Sequence, residues 1–395
     1  MPGEADLKSL DSVLEKENAA GMYAMEKTID LVTDNSLTTA ERAQYKAEAK
    51  IFRAMVMFDM VRLWGDFPVI TTVAGDITSE NIDEVYPQYF PEQNTELEAY
   101  QQIERDLLDA VLYAPDNTPG NKTLFSKSVA RTLLAKIYAE KPLRDYTKVI
   151  QYCDEVKADG FDLVDDFSDL FGMNAAGTDA KMRNTKESIL EAQFTSGAGN
   201  WCTWMFGRDL VNWNNNFTWA KWVTPSRDLI SAFKQEGDEV RFKESIVYYD
   251  CNWSNYYPSD NYPFMYKCRS ANSSIIKFRY ADVLLLKAEA LIMQDTPDLE
   301  GAADIIDKVR DRAKLGALPT SVRSNKNVLL NALLKERRLE LAFEGQRWFD
   351  LVRLDKVEEV MNAVYAKDSG RKAQIYTFDK NSYRLPIPQS VIDAN

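Results

Sequence analysis

Residues 336–354 read ERRLELAFEGQRWFDLVRL, the densest cluster of charge in the chain. Glu336, Glu340 and Glu344 recur at every fourth position. On a helix such carboxylates repel one another unless cations stand between them. Arg337, Arg338, Arg347 and Arg353 supply the cations, and Asp350 lies three residues from both Arg347 and Arg353. A functional reading makes Glu340 and Glu344 a catalytic carboxylate pair. A structural reading makes the cluster a partly buried ion network that locks helices together. Arginines matched this closely lower a carboxyl pKa, the wrong direction for a general acid, so the structural reading is preferred.

Working outward, helical periodicity continues on both sides of this stretch, over 279–293, 298–314, 325–344 and 346–366. Towards the N-terminus, 4–32 and 38–64 read as two helices. The second is almost wholly apolar in IFRAMVMFDM and is stopped by Gly65. It carries Arg53, Asp59 and Arg62; buried charges must be paired, and Asp59 with Arg62 has the spacing to do it. Further helices are expected at 94–113, 126–141 and 145–158, a strand at 187–194, and a short helix opened by Thr224-Pro225-Ser226. SVARTLLAKIYAE with the segment after it, and RYADVLLLKAEAL with the segment after it, share one layout: an alanine-rich helix, a break, then an amphipathic helix. That is the layout of tetratricopeptide-like hairpins. The expected fold is mostly α: tetratricopeptide-like helix pairs with a loop-rich, aromatic-rich insertion. Its expected parts are a helical scaffold over 1–160, the insertion over 161–275 and a C-terminal helical part over 276–395.

Composition narrows the chemistry. The chain has 395 residues, a formal charge of −13 and no histidine. A net-acidic surface argues against nucleic acid and anionic membranes as partners. Without histidine, Ser-His-Asp, Cys-His and His-ligated metal chemistry are removed, while carboxylate-only glycoside hydrolysis survives. Cys153, Cys202, Cys251 and Cys268 show no CxxC spacing. No cofactor and no metal are expected.

The insertion holds the unusual stretch. WCTWMFGRDLVNWNNNFTWAKW, residues 201–222, contains five of the eight tryptophans and follows neither a helical nor a strand period. A second aromatic run, 247–266, adds Tyr248, Tyr249, Trp253, Tyr256, Tyr257 and Tyr262. Sugar rings present C–H faces that stack on aromatic rings, and their hydroxyls need directional donors and acceptors, which one Asn amide supplies together. The candidate ligand-binding residues are Trp201, Trp204, Asn212, Trp213, Asn215, Trp219, Trp222, Trp253 and Tyr256. The competing reading packs most of these rings against the helices.

Four motifs carry a resemblance. RAMVMFDMVRLWGDFPV, KFRYADVLLLKAEAL, ERRLELAFEGQRWFDLVRL and YRLPIPQSVIDAN occur in that order. Together they resemble the SusD/RagB family of nutrient-binding outer-membrane lipoproteins, from about residue 20 to the end. WVTPSRDLISAFKQEGDEVRF, with its turn from Asp238 to Arg241, resembles a further family segment. The resemblance implies a non-catalytic, surface-exposed protein that captures glycans. It further implies that the protein caps a SusC-like TonB-dependent β-barrel that imports them. An oligopeptide ligand is the alternative within the family, and a carboxylate-based glycoside hydrolase the alternative outside it. The lipoprotein signal and lipidated cysteine that the family implies do not stand in this chain, which is expected to be N-terminally truncated. Gln346 stands where relatives often carry histidine. The matched motifs are mainly scaffold, so specificity is expected in the aromatic insertion.

Overall fold

The computed structural model describes residues 37–71, 74–195, 200, 224–250, 257–367, 377–387 and 389. The expected helix over 4–32 lies outside them. The chain divides into two compact units. One is Met1–Asn117 with Leu124–Asp145 and Asn381–Asn395; the other is Thr118–Thr123 with Tyr146–Lys380.

The first unit is built on three helices: α1 (Thr39–Trp64), α2 (Glu96–Tyr113) and α3 (Lys127–Ala139). Thr38 and Glu41 close a capping box at the start of α1, and Thr95 with Glu98 does the same for α2. Ala47, Ile51, Ala54, Phe58 and Val61 recur every three or four residues, so α1 turns one buried stripe towards α2. α2 answers with Tyr100, Ile103, Leu107 and Ala110. The charges inside α1 are paired. Arg62 donates to Asp59 at 2.5 Å, as the i,i+3 spacing predicts. Arg53 forms a two-pronged bond with Asp106 of α2, at 2.8 and 2.7 Å. At Gly65 the φ is +82°, where a Cβ would be strained, and α1 stops as expected. The extended C-terminal segment returns to this unit: Leu385 N donates to Leu63 O at 2.7 Å and Arg384 to Glu96 at 2.6 Å.

The second unit contains α4 (Tyr146–Ala158), β1 (Ser188–Ala192), α5 (Arg227–Glu236), α6 (Glu239–Ser245) and β2 (Ile246–Tyr249). β3 (Tyr262–Met265), β4 (Ile275–Arg279), α7 (Tyr280–Met293) and α8 (Leu299–Arg312) follow. α9 (Lys326–Glu340), α10 (Arg347–Arg353) and α11 (Val357–Lys367) complete it. α7 is the central helix, packed by α4, α8 and α9. Buried Ala281, Ala288 and Ala290 allow those neighbours to come close. The unit boundary falls between Asp145 and Tyr146, within the stretch whose pattern suggested the first hairpin. The second expected pair, α7 and α8, packs together. β1 pairs antiparallel with β4, Ser188 opposite Arg279 and Ala192 opposite Ile275. β2 pairs antiparallel with β3, Ile246 opposite Met265 and Tyr249 opposite Tyr262. Among the described residues, no helix is long and apolar enough to cross a membrane.

Two local expectations are corrected. Ser226, not Thr224, caps α5: Leu229 N donates to Ser226 Oγ at 3.1 Å, so Pro225 precedes the helix instead of occupying its first turn. Residues 346–366 form α10 and α11, and the run to 344 stops at Glu340. Left-handed φ values at Phe343 (+67°), Gly345 (+74°) and Asp355 (+54°) mark both breaks.

Candidate functional site

The turn after α9 has an electrostatic consequence. On a continuous helix Glu340 and Glu344 would stack one turn apart. Instead the turn swings Glu344 round so that both carboxylates meet one guanidinium. Arg279 donates to Glu340 at 2.5 Å and, through Nε, to Glu344 at 2.6 Å. Arg279 also bonds Glu187 at 2.8 Å, and Arg312 bonds both Glu187 and Glu340. Arg241 reaches Asp238 at 2.5 Å, Glu336 at 2.6 Å and Glu340 at 3.0 Å. A second cluster joins Arg337 to Asp350 at 2.8 Å and to Asp282 at 2.7 Å. Arg353 bonds Asp350 at 2.9 Å and holds Glu289 with two bonds. Arg347, which lies three residues before Asp350, donates to the Leu334 carbonyl at 2.9 Å.

This is the ion network of the structural reading, and it is buried almost completely. Burial pushes the Glu340 carboxyl up, but Arg312, Arg279 and Arg241 outweigh it and hold the group well below the ordinary carboxylate range. Asp350 is likewise lowered, burial being outweighed by Arg337 and Arg353. Glu336 and Asp238 depart from the expectation: burial wins over their arginines and both are raised. Lys267 is enclosed between Glu344, at 2.5 Å, and the rings of Phe167 and Phe171. Its burial, only partly offset by Glu344, pulls the ammonium down to about 8. Glu340, held ionised by three arginines and fully enclosed, has neither a proton to give a leaving group nor access to solvent.

The network also anchors α5. Arg338 holds Asp228 at 2.7 Å, and Arg310 with Lys335 holds Glu236. Leu229, Ile230, Ala232 and Phe233 pack beneath α5 against Ile246, Leu339 and Ala342. Beside α5 runs an open groove of about 450 Å³, lined by Arg227, Lys234, Gln235, Tyr248, Tyr257 and Asn261 together with Ile230, Ser231 and Pro258. Tyr257 is positioned from three directions. Its hydroxyl donates to Pro225 O at 2.8 Å, its ring meets Tyr262 edge-on at 5.6 Å, and the Arg227 guanidinium lies 5.2 Å from its ring centre. Tyr248 leans on Phe242, with ring centres 6.4 Å apart, and burial raises its hydroxyl pKa. Tyr262 itself is core, and Thr224 Oγ1 shares a 2.6 Å hydrogen bond with its hydroxyl. Gln235 and Asn261 add exposed amides.

All nine candidate ligand-binding residues, Trp201, Trp204, Asn212, Trp213, Asn215, Trp219, Trp222, Trp253 and Tyr256, lie outside the described residues. Of the second aromatic run, Tyr248 and Tyr257 line the groove. Arg227, Lys234, Gln235 and Asn261 were not singled out from sequence. The usable signal was Arg227, Lys234 and Gln235 recurring on the polar side of a short amphipathic helix, next in space to an aromatic strand pair. Among the described residues, no group of three or more acidic or cysteine side chains could hold a metal ion.

Comparison with known proteins places this arrangement. Residues 260–395 match the SusD family, and residues 19–139 match a related family described as starch-binding and associating with the outer membrane. This chain belongs to the SusD family. It is similar to SusD-like protein P2 of Formosa agariphila, at 28% identity over 87% of this chain and 70% of that protein. Its fold matches a SusD homologue of Bacteroides thetaiotaomicron at a TM-score of 0.76 and 22% identity, covering 99% of this chain and 84% of the other. It also matches a laminarin-binding SusD-like protein at a TM-score of 0.72 and 22% identity, covering 96% and 83%. The motif around Glu340 is a buried ion network, and the groove beside α5 is a described surface that presents aromatic and amide groups to solvent.

Proposed function

We propose that this protein binds glycans at the cell surface without altering them and delivers them to a SusC-like TonB-dependent outer-membrane transporter. The observation that carries the reading is the groove beside α5. It sets Tyr248 and Tyr257 next to the Gln235 and Asn261 amides on a base of packed apolar side chains. Aromatic rings offer stacking area to the apolar faces of sugars, and amides offer a donor and an acceptor to each hydroxyl pair. Trp201, Trp204, Asn212, Trp213, Asn215, Trp219, Trp222, Trp253 and Tyr256 extend the same chemistry. Support also comes from the laminarin-binding relative of the same fold. Binding without turnover agrees with Glu340, the strongest sequence candidate for an acid, being locked between arginines. Attachment to the outer membrane through a lipid anchor completes the proposal.

Calorimetry against a polysaccharide panel tests it, using the intact chain and the Tyr257→Ala, Trp213→Ala, Trp219→Ala and Trp222→Ala variants. Binding that weakens in at least one variant, with unchanged ligand recovered afterwards, is the expected result. Release of shorter sugars, or binding of oligopeptides in place of every glycan, would overturn it.

A further inference from the structure

The chain as a whole is acidic, at −13, but the groove beside α5 is lined by charge of the other sign. Arg227 and Lys234 both face it from α5, seven residues apart, which is about 10 Å along a helix axis. Among the described residues, no carboxylate lines it. The two acidic residues of α5 are used elsewhere: Asp228 by Arg338 at 2.7 Å, and Glu236 by Arg310 and Lys335. Lys234 is exposed and makes no ion pair among the described residues. The helix thus divides its charge, anions towards the scaffold and cations towards the groove.

We propose that the groove selects saccharides that carry anionic groups, carboxylate or sulfate, over neutral ones of the same length. The inference rests on the glycan-binding reading and specifies its ligand class. Arg227, stacked at 5.2 Å over Tyr257, offers a planar fork that suits two-pronged contact with a carboxylate or sulfate. Lys234, two turns further on, supplies a mobile point charge for a second anionic group. Tyr248 and Tyr257 lie between for the sugar rings, and Gln235 and Asn261 serve the hydroxyls. In a chain of net negative charge a polyanion is repelled at long range, so local cations at the site are what make such a ligand acceptable.

The test is calorimetry of the intact chain with three oligosaccharides of equal length: a polyuronate, a sulfated glycan and a neutral β-glucan. Each is repeated with Lys234→Gln and Lys234→Arg. At least one anionic ligand should bind about tenfold tighter than the neutral one. Lys234→Gln should remove about tenfold of that affinity, leave neutral binding within about twofold, and be restored by Lys234→Arg. Which anionic ligand responds assigns the group as carboxylate or sulfate. Neutral binding as tight as anionic, or equal loss for all ligands in Lys234→Gln, overturns the inference and leaves glycan binding standing. Binding of none of the three overturns both.

Discussion

The ion network around Glu340 and the groove beside α5 use similar residues in opposite surroundings. In the network, Arg241, Arg279 and Arg312 are enclosed with Glu187, Glu336 and Glu340, and each has at least one carboxylate within 3.0 Å, although Arg241 Nη2 and Arg312 Nε are left without a hydrogen bond among the described residues. In the groove, Arg227 lies over the Tyr257 ring, and exposed Lys234 makes no ion pair among the described residues. The same guanidinium is a lock when desolvated beside carboxylates and a recognition group when left at a surface. α5 joins the two regions, because its acidic residues are held by the network while its cations face the groove. Charge-removing substitutions should therefore act on stability in one region and on affinity in the other.

The largest effect should come from Glu340→Gln, which leaves Arg241, Arg279 and Arg312 short of a buried counter-charge. Urea denaturation should show a loss of about 3–5 kcal/mol. A variant of wild-type stability would break the distinction between lock and surface.

Next is a pH effect at Lys267. Its folded-state pKa is pulled down to about 8 by burial, below the 10.5 of an exposed lysine. Between these values the unfolded chain binds more protons than the folded one, so the stability contribution of this residue rises with pH. It is least favourable below pH 8. Lys267→Met removes the term, and the stability difference between wild type and variant should grow in favour of wild type by about 2–3 kcal/mol from pH 8 to 10.5. A flat difference would mean that the ammonium is not held at its stated depth.

On the groove side, Tyr257→Ala should weaken glycan binding by about tenfold, while Tyr257→Phe, which keeps the ring, should remain within about threefold. Titration calorimetry separates the two; equal losses would assign the effect to the Pro225 hydrogen bond instead of the ring. The smallest effect is expected at Thr95→Ala, which opens the α2 capping box and should cost about 1 kcal/mol in thermal unfolding without changing ligand affinity.

Much of the fold was legible because its helices carry strong apolar periodicity. α1, α2, α4, α7 and α8 lie within two residues of their expected bounds. The breaks at Phe343 and Asp355 were not legible, because a non-glycine residue in a left-handed conformation leaves no mark in composition. Pairing within one helix, Asp59 with Arg62, could be foreseen from spacing. Arg53 with Asp106, and Arg279 with Glu187 and Glu340, could not, since those partners lie 53 to 92 residues apart. At the site, Tyr248 and Tyr257 stood in the aromatic run, whereas Arg227 and Lys234 belong to an unremarkable amphipathic helix.

By itself the sequence determined the helical class, the family motifs and the preference for reading the Glu336–Glu344 cluster as a lock over a catalytic pair. Each of these depends on local periodicity or on charge balance over a few turns, and those are written along the chain. Only the tertiary structure decided which cations remain at a surface. That depends on which cations the fold brings to the carboxylates of α5, Arg338 to Asp228 and Arg310 with Lys335 to Glu236, a matter of distance in space between residues remote in sequence.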